Sequence, residues 1–253
     1  MYRPRVIPIL LLKGQGLVKS IKFKDYRYIG DPINAVKIFN DLKADELVFL
    51  DILASKEKRS ISLDFVRNVG DEANMPFAVG GGIRTIQQIK EIINAGAEKV
   101  IINTYAVENP DFIKQASDEF GSSTIVISID VKKKFLGKKQ VYTMAGLKAT
   151  GLNPVDFAKL MQEKGAGEII INSIENDGQM SGFDLKLIKQ ISESVEIPVV
   201  AIGGASNLLD FEKAVKESYA SAVAAGSLFV YHGQRKAVLI NYPSNDELKK
   251  VFI

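Results

Sequence analysis

The chain has 253 residues, of which 46% are hydrophobic and 25% are charged, as is typical of a soluble globular protein with a large apolar core. Its net charge of +3, from 33 basic and 30 acidic residues, lacks the positive excess of nucleic-acid-binding proteins, so no nucleic-acid partner is expected. The absence of cysteine excludes disulfides, thiolate metal sites and a cysteine nucleophile, and it agrees with a cytoplasmic location. The apolar run at residues 6–12 is too short for a membrane span, so we expect no membrane association.

Eight short apolar runs follow one another along the chain, and each precedes an amphipathic stretch typical of a helix. In the first stretch, apolar residues recur three or four positions apart, at Ala35, Ile38 and Leu42. Alternating strands and helices predict a parallel sheet, and strands that are apolar throughout favour a closed (β/α)₈ TIM barrel, an α/β fold of about 250 residues. The predicted strands are residues 5–12, 47–52, 76–80, 99–103, 124–130, 168–173, 198–202 and 221–225.

The two halves of the chain are similar to each other. Residues 77–82 (FAVGGG) are echoed 122 positions later by residues 199–204 (VVAIGG), and Asp51 lies 121 positions before Asn172 in the preceding strands. A repeat of four strand–helix units closes naturally into an eightfold barrel. We therefore predict one barrel domain, residues 1–253, made of half-barrels at about 1–122 and 123–253.

Glycine-rich turns follow the third and seventh predicted strands. Such glycines let backbone amides approach an anion, and the N-terminus of the following helix adds a favourable dipole. Either turn alone could simply reverse the chain direction, but two copies in register favour two phosphate sites on opposite sides of the barrel mouth. The expected substrate then carries a phosphate at each end. The turns and their companions after strands 4 and 8 give the predicted phosphate-binding residues Gly81, Gly82, Asn103, Thr104, Gly203, Gly204, Gly226 and Ser227.

The chemistry at the centre of the mouth is expected to come from carboxylates, lysines and backbone amides, without a metal or cofactor. His232 is the only histidine and lies near the C-terminal end, which disfavours a histidine pair or a Ser–His couple. The polar candidates at or just beyond the strand ends are Asp51, Asp130, Asn172 and Asp177, and apolar surroundings can raise a carboxyl pKa there. Asp130 is the preferred acid–base residue; for Asp51 a turn cap is as good an interpretation.

Six motifs stand out along the chain: residues 45–52 (DELVFLDI), 79–83 (VGGGI), 106–110 (AVENP), 165–169 (GAGEI), 176–178 (NDG) and 181–182 (SG). On these motifs, and over nearly its whole length, the chain resembles the HisF family, the synthase (cyclase) subunit of imidazole glycerol phosphate synthase in histidine biosynthesis. In that family a glutaminase subunit docks on the N-terminal face of the barrel and delivers ammonia through the core to a bisphosphate substrate at the other face. The resemblance also implies that Gly178 binds phosphate and that Lys19, in the loop after strand 1, covers the substrate.

The family's charged ammonia gate corresponds here to Arg5, Glu46, Lys99 and Glu168. These residues begin or immediately precede strands 1, 2, 4 and 6, so they can converge in a ring at the N-terminal end of the barrel. Two carboxylates and two cations can balance one another when buried. A purely structural ring of ion pairs is the alternative interpretation.

One position departs from the family pattern. The family uses two aspartates as its acid–base pair; Asp130 fills the second place, but Leu11 replaces the first. Leucine cannot transfer a proton, and one acid–base group typically contributes about 10²–10⁴-fold to the rate. The pattern resembles the cyclase paralogues of bacterial surface-polysaccharide (lipopolysaccharide) clusters, which supply glutaminase-derived ammonia to a separate sugar amidotransferase that makes acetamidino sugars.

Two alternatives remain open at this point. The first is that the chain is a true cyclase in which Asp51, Asp177 or a water molecule supplies the missing proton transfer. It can also be a non-catalytic ammonia conduit that activates the glutaminase allosterically. The lysines at 132–134, 138 and 139 could attract an anion or a third protein, although a solvated hairpin is the simpler interpretation.

Overall fold

Eight parallel strands close into a barrel in the computed structural model, which describes residues 3–134, 137–233 and 235–253. Each strand hydrogen-bonds to the next in chain order, and the eighth pairs with the first. The predicted (β/α)₈ fold is therefore confirmed. The barrel strands are β1 (Arg5–Lys13), β2 (Leu47–Asp51), β3 (Phe77–Gly80), β4 (Lys99–Ile102), β5 (Ile125–Lys133), β6 (Glu168–Ser173), β7 (Val199–Ile202) and β8 (Ala222–Ala225).

Helices cover the outside of the barrel. The first buries Ala35 and Phe39, whereas Ile38 and Leu42, which the sequence pattern placed with Ala35, are 39% and 37% exposed. The longer helices are α1 (Pro32–Asp41), α2 (Leu63–Glu72), α3 (Ile86–Asn94), α4 (Asp111–Phe120), α5 (Pro154–Glu163), α6 (Leu185–Ser192), α7 (Leu208–Lys216) and α8 (Asn245–Phe252). Shorter helical segments are Thr104–Glu108, Ser122–Thr124 and Ser227–Val230.

Two antiparallel hairpins rise from the C-terminal end of the barrel. Strand Gly16–Ile21 pairs with the end of β1 and with strand Lys24–Gly30. The fifth strand was predicted to end at Asp130, and this boundary is wrong: β5 continues to Lys133, because its last residues pair with strand Lys139–Thr143, which in turn pairs with Lys148–Ala149. A last small hairpin joins Tyr231–His232 to Ala237–Val238.

The interior of the barrel is filled in layers by side chains that alternate along each strand. On β6, for example, Glu168, Ile170 and Asn172 line the successive cavities inside the barrel. The apolar interior of the barrel consists of Ile7, Ile9, Val48, Ala78, Ile101, Val126, Ile170, Val200, Ile202, Ala222 and Ala224.

A small cavity lies within this apolar interior, of about 240 Å³ when the open solvent beside it is counted. Glu46 and Glu168 line it, and Ile9 and Ile101 line both this cavity and the larger one at the barrel mouth. Apolar side chains therefore fill the barrel axis between the charged residues at the N-terminal end and the mouth. Among the described residues, no helix has both the length and the apolar character that crossing a membrane requires.

Candidate active site

A cavity of about 1300 Å³, counting the solvent in its opening, lies at the C-terminal ends of the barrel strands. Its wall is formed by the strand ends, the glycine turns and the hairpin that follows β1. The sequence-predicted residues that line it are Leu11, Lys19, Asp51, Gly81, Gly82, Asn103, Thr104, Asp130, Asn172, Asp177, Gly178, Gly203, Gly204, Gly226 and Ser227.

Asp130 projects from β5 into this cavity and is only 8% exposed. The side-chain amides of Asn103 and Asn172 each donate to one of its carboxylate oxygens, at 3.3 Å. Burial raises the pKa of Asp130 to about 7, although the hydrogen bond from Asn172 opposes the shift. A carboxyl that titrates near neutrality is well suited to give and take a proton.

Leu11 lies on β1 and is paired in the ladder with Leu50 of β2. Both side chains are half-buried, pack against the apolar interior and line the mouth. Ile202 of β7 extends the same apolar wall. Leu11, Leu50 and Ile202 therefore form an apolar patch in the wall of the mouth, whereas Asp130 lies on the polar side formed by β4 to β6. Leu11 itself supplies no group that can transfer a proton.

Asp51 is engaged by its own neighbourhood. Arg59 donates to its carboxylate at 2.6 Å, and the amides of Leu53 and Ala54 donate to it at 3.0 and 3.2 Å. The carboxylate thus caps the turn after β2 and anchors a guanidinium. Of the two interpretations that the sequence allowed, this geometry supports the cap.

The hairpin after β1 places Lys19 inside the mouth, where it is 5% exposed and donates to the carbonyl of Ile9. A Cβ at Gly226 would lie 2.1 Å from Lys19 Nζ, so this amine touches the turn after β8. Burial lowers the pKa of Lys19 to about 8, and the nearby charge of Asp177 raises it in part. Asp177 in turn accepts from Ser20 Oγ at 2.9 Å, which ties the hairpin to the loop after β6.

Close backbone contacts require glycine in both turns. Gly82 and Gly204 have φ of +62° and +112°, in the region that favours glycine. A Cβ at Gly82 would lie 1.8 Å from the carbonyl oxygen of Arg59, and one at Gly204 would lie 2.2 Å from that of Gly182. Any larger residue would displace these turns and narrow the mouth.

The helix N-termini beside the two turns differ in their caps. The long helices α3 and α7 have capping boxes, formed by Thr85 with Gln88 and by Asn207 with Asp210. The one-turn helices Thr104–Glu108 and Ser227–Val230 have no side-chain cap. No side chain therefore caps their first backbone N–H groups, which can face an anion.

Four charged residues form a ring at the opposite, N-terminal end of the barrel, as predicted from their places at the strand starts. Arg5 pairs with both Glu46 and Glu168. Lys99 Nζ lies 3.3 Å from Glu46 and 3.0 Å from Glu168. The carboxylate side chains are 5% and 7% exposed, so the ring separates solvent from the apolar interior cavity.

Sequence reasoning did not find two guanidiniums at the site. Arg59 pairs with Asp51, and Arg84 lines the mouth beside Tyr105. Arg84 lies two residues after the glycine run, so the sequence could have indicated its place at the mouth. The sequence could not indicate the partner of Arg59, because an irregular turn of eight residues sets that contact.

Together these features define a class: a (β/α)₈ barrel with a ringed N-terminal end, an apolar interior and a mouth built from two related glycine turns. Residues 5–236 match the family described as "Histidine biosynthesis protein". The chain therefore belongs to this family, and it is a HisF-like member of it, as the sequence resemblance predicted.

Individual relatives support the same assignment. A Pseudomonas aeruginosa protein, provisionally named imidazole glycerol phosphate synthase subunit hisF2, is 45% identical over 248 residues, which cover 98% of this chain and 99% of the relative. A similarly named Leptospira borgpetersenii HisF is 45% identical over 253 residues, or 100% of both chains. The imidazole glycerol phosphate synthase subunit HisF of Alkaliphilus metalliredigens is 45% identical over 232 residues, or 92% of each.

Proposed function

We propose that this HisF-like chain is the ammonia-accepting subunit of a glutamine-dependent complex. A glutaminase subunit docks on the N-terminal face, ammonia passes the charged ring and the apolar interior, and it reaches the mouth, where a phosphorylated small molecule binds. The support is the alignment of ring, interior cavity and mouth along one axis, seen on β6 as Glu168, Ile170 and Asn172. Neutral ammonia suits an apolar passage better than charged ammonium, because the interior offers an ion no partners.

We further propose that the chain has diverged from ordinary imidazole glycerol phosphate synthesis. The observation that carries this step is Leu11, which forms an apolar wall with Leu50 where the family has its first catalytic aspartate. Asp130 alone remains to move protons, and one missing acid–base group costs about 10²–10⁴-fold. The role that fits is the supply of ammonia to acetamidino-sugar formation in surface-polysaccharide synthesis, in the cytoplasm, with a separate sugar amidotransferase as third partner.

Growth of a histidine auxotroph tests the divergence. We expect that the gene does not rescue a bacterial strain lacking its HisF, whereas a control HisF with both aspartates does. Western detection of the protein in the same cells would show that it is made. Rescue by the unaltered gene would overturn the divergence and favour a true cyclase.

A true cyclase would need another proton-transfer group, and the geometry narrows the choice. Asp51 is held by Arg59 and two backbone amides. Asp177 remains, with a pKa raised by burial and opposed by its bond from Ser20 and the charge of Lys19. Overall identity is the same, 45%, to relatives named hisF2 and HisF, so the choice between the two activities rests on Leu11.

A second candidate function is a non-catalytic conduit that activates the glutaminase. It is favoured by the retention of the ring and both glycine turns beside an incomplete acid–base pair. Glutamine hydrolysis by the partner glutaminase, with and without this barrel, measures the activation, and Lys99→Met or Glu46→Gln should reduce it. Unchanged hydrolysis in every combination would rule this function out.

A further inference from the structure

Arg84 lies two residues after the glycine run of the first turn and is one of the residues that line the mouth, as is Tyr105. Its guanidinium lies over the ring of Tyr105, 5.4 Å from the centroid, and Nη1 lies 3.2 Å from the carboxylate of Glu108. Both partners belong to the one-turn helix Thr104–Glu108. The cation is thus held against the element that completes the first turn, while the side chain is 37% exposed.

The second glycine turn has no arginine at the position that corresponds to Arg84. The residue 122 positions after Arg84 is Ser206, whose hydroxyl donates to Asp210 as part of the cap of α7. The cation at the second turn is instead Lys19, which touches Gly226 from the hairpin after β1. Among the described residues, Lys19 and Arg84 are the cations that line the mouth. Each turn therefore has one.

We propose that Arg84 is the phosphate-binding cation of the first turn and exchanges its bond to Glu108 for the outer oxygens of a terminal phosphate monoester. A guanidinium has five N–H donors, and its planar fork matches phosphate oxygens. The ion pair with Glu108 is weak because both side chains are partly exposed to solvent, so breaking it loses little free energy. This inference rests on the proposed binding of a phosphorylated substrate at the mouth.

The exchange predicts opposite effects for its two partners. Arg84→Met keeps the length of the side chain and removes its charge, so it should weaken binding of pentane-1,5-diyl bisphosphate about 10–100-fold, the range for a charge-assisted hydrogen bond. Glu108→Gln removes the competing carboxylate and should tighten binding about 2–5-fold. Isothermal titration calorimetry measures both. Arg67→Met is the matched control, because Arg67 lies on the outside of α2 and pairs with Asp64.

Titration with inorganic phosphate shows at which of the two turns Arg84 acts. In a Ser227→Asp background, where an added carboxylate repels anions from the second turn, bound phosphate reports the first turn alone, and Arg84→Met should weaken it while Arg67→Met does not. Arg84→Lys keeps the charge without the fork and should fall between Arg84→Met and the unaltered protein, which provides a test if Arg84→Met does not fold.

The outcomes distinguish a failure of phosphate binding at the mouth from a failure of the proposed role of Arg84. If the unaltered protein binds neither inorganic phosphate nor the bisphosphate, phosphate binding at the mouth is wrong and the role of Arg84 falls with it. If the protein binds both probes but Arg84→Met and Arg84→Lys bind them equally well, only the role of Arg84 is overturned. Weaker binding by Glu108→Gln would also overturn it, because the ion pair would then be a support of the one-turn helix.

Discussion

At the residue scale, the chemistry centres on Asp130. The carboxyl sits between the amides of Asn103 and Asn172 and faces the apolar side of the mouth, where Leu11 and Leu50 lie. Burial sets its pKa at about 7, so the group is poised to exchange a proton near neutrality. One such group can serve a single proton transfer, but a step that needs simultaneous acid and base lacks its partner here.

The raised pKa of Asp130 predicts how stability depends on pH. The folded state holds the proton up to about pH 7, whereas the unfolded chain releases it near its ordinary value of 3.8, so the protein loses stability as the pH rises between these values. Asp130→Asn has no charge to bury. The difference in stability, taken as the free energy of unfolding of Asp130→Asn minus that of the unaltered protein, should therefore be at least about 1 kcal/mol larger at pH 8 than at pH 5.

Urea denaturation at the two pH values measures this difference. Asp64→Asn is a suitable control, because Asp64 is an exposed carboxylate on α2, where its side chain is 88% exposed. A difference between Asp130→Asn and the unaltered protein that does not change with pH would contradict the raised pKa.

Sequence reasoning reached Asp130 and the glycines of the two turns because each ends or follows a strand, and it reached Lys19 through the family resemblance. It did not settle Asp51, whose fate depends on Arg59. Nor could it give the burial of Lys19 against Ile9, because that contact depends on how the hairpin folds back over the barrel. The residue types were readable, but the contacts made by loops were not.

At the element scale, the strands were predicted to within one or two residues at most ends because they are apolar on both faces, as buried parallel strands are. β5 was the exception, because Lys132 and Lys133 pair only with the hairpin strand Lys139–Thr143, and two lysines after an apolar run give no sign that the strand continues. The hairpin after β1 was read only as a loop. Its strands, Gly16–Ile21 and Lys24–Gly30, are stabilised by contacts distant in sequence, including Ser20 with Asp177.

The capping box at the start of α3 gives an element-scale prediction. Thr85→Ala removes the capping box of α3 and should lower the free energy of unfolding by about 1 kcal/mol. Phosphate affinity should stay within experimental error, because Thr85 does not line the mouth and the amides of Arg84 and Thr85 remain bonded to Gln88. Thermal denaturation and phosphate titration of the same variant provide the test. A loss of phosphate affinity would show that α3 contributes to the anion site after all.

At the scale of the whole molecule, the barrel joins two chemically different ends through an apolar interior. The ring of Arg5, Glu46, Lys99 and Glu168 has no net charge, so it can be buried without an uncompensated ion. The mouth, about one barrel length away, carries a cation at each glycine turn. This polarity is what a subunit needs if it takes a neutral molecule at one end and an anionic one at the other.

The balance of the ring predicts a non-additive result. Lys99→Met leaves two buried carboxylates to one guanidinium and should destabilise the barrel by about 1–3 kcal/mol. Adding Glu46→Gln restores neutrality, so the double variant should be more stable than Lys99→Met alone. Chemical denaturation of the single and double variants closes the cycle. If the second substitution only added to the loss, the ring would not be held by charge balance.

The most direct test of the divergence is turnover of the bisphosphate substrate of the HisF family with ammonium as the nitrogen source. The unaltered chain should form imidazole glycerol phosphate at least about 10²-fold more slowly than a control HisF with both aspartates, because Leu11 cannot transfer a proton. Leu11→Asp should gain activity, since Asp130 is already in place across the mouth. Turnover by the unaltered chain at the control rate, or a Leu11→Asp variant slower than the unaltered chain, would contradict this account.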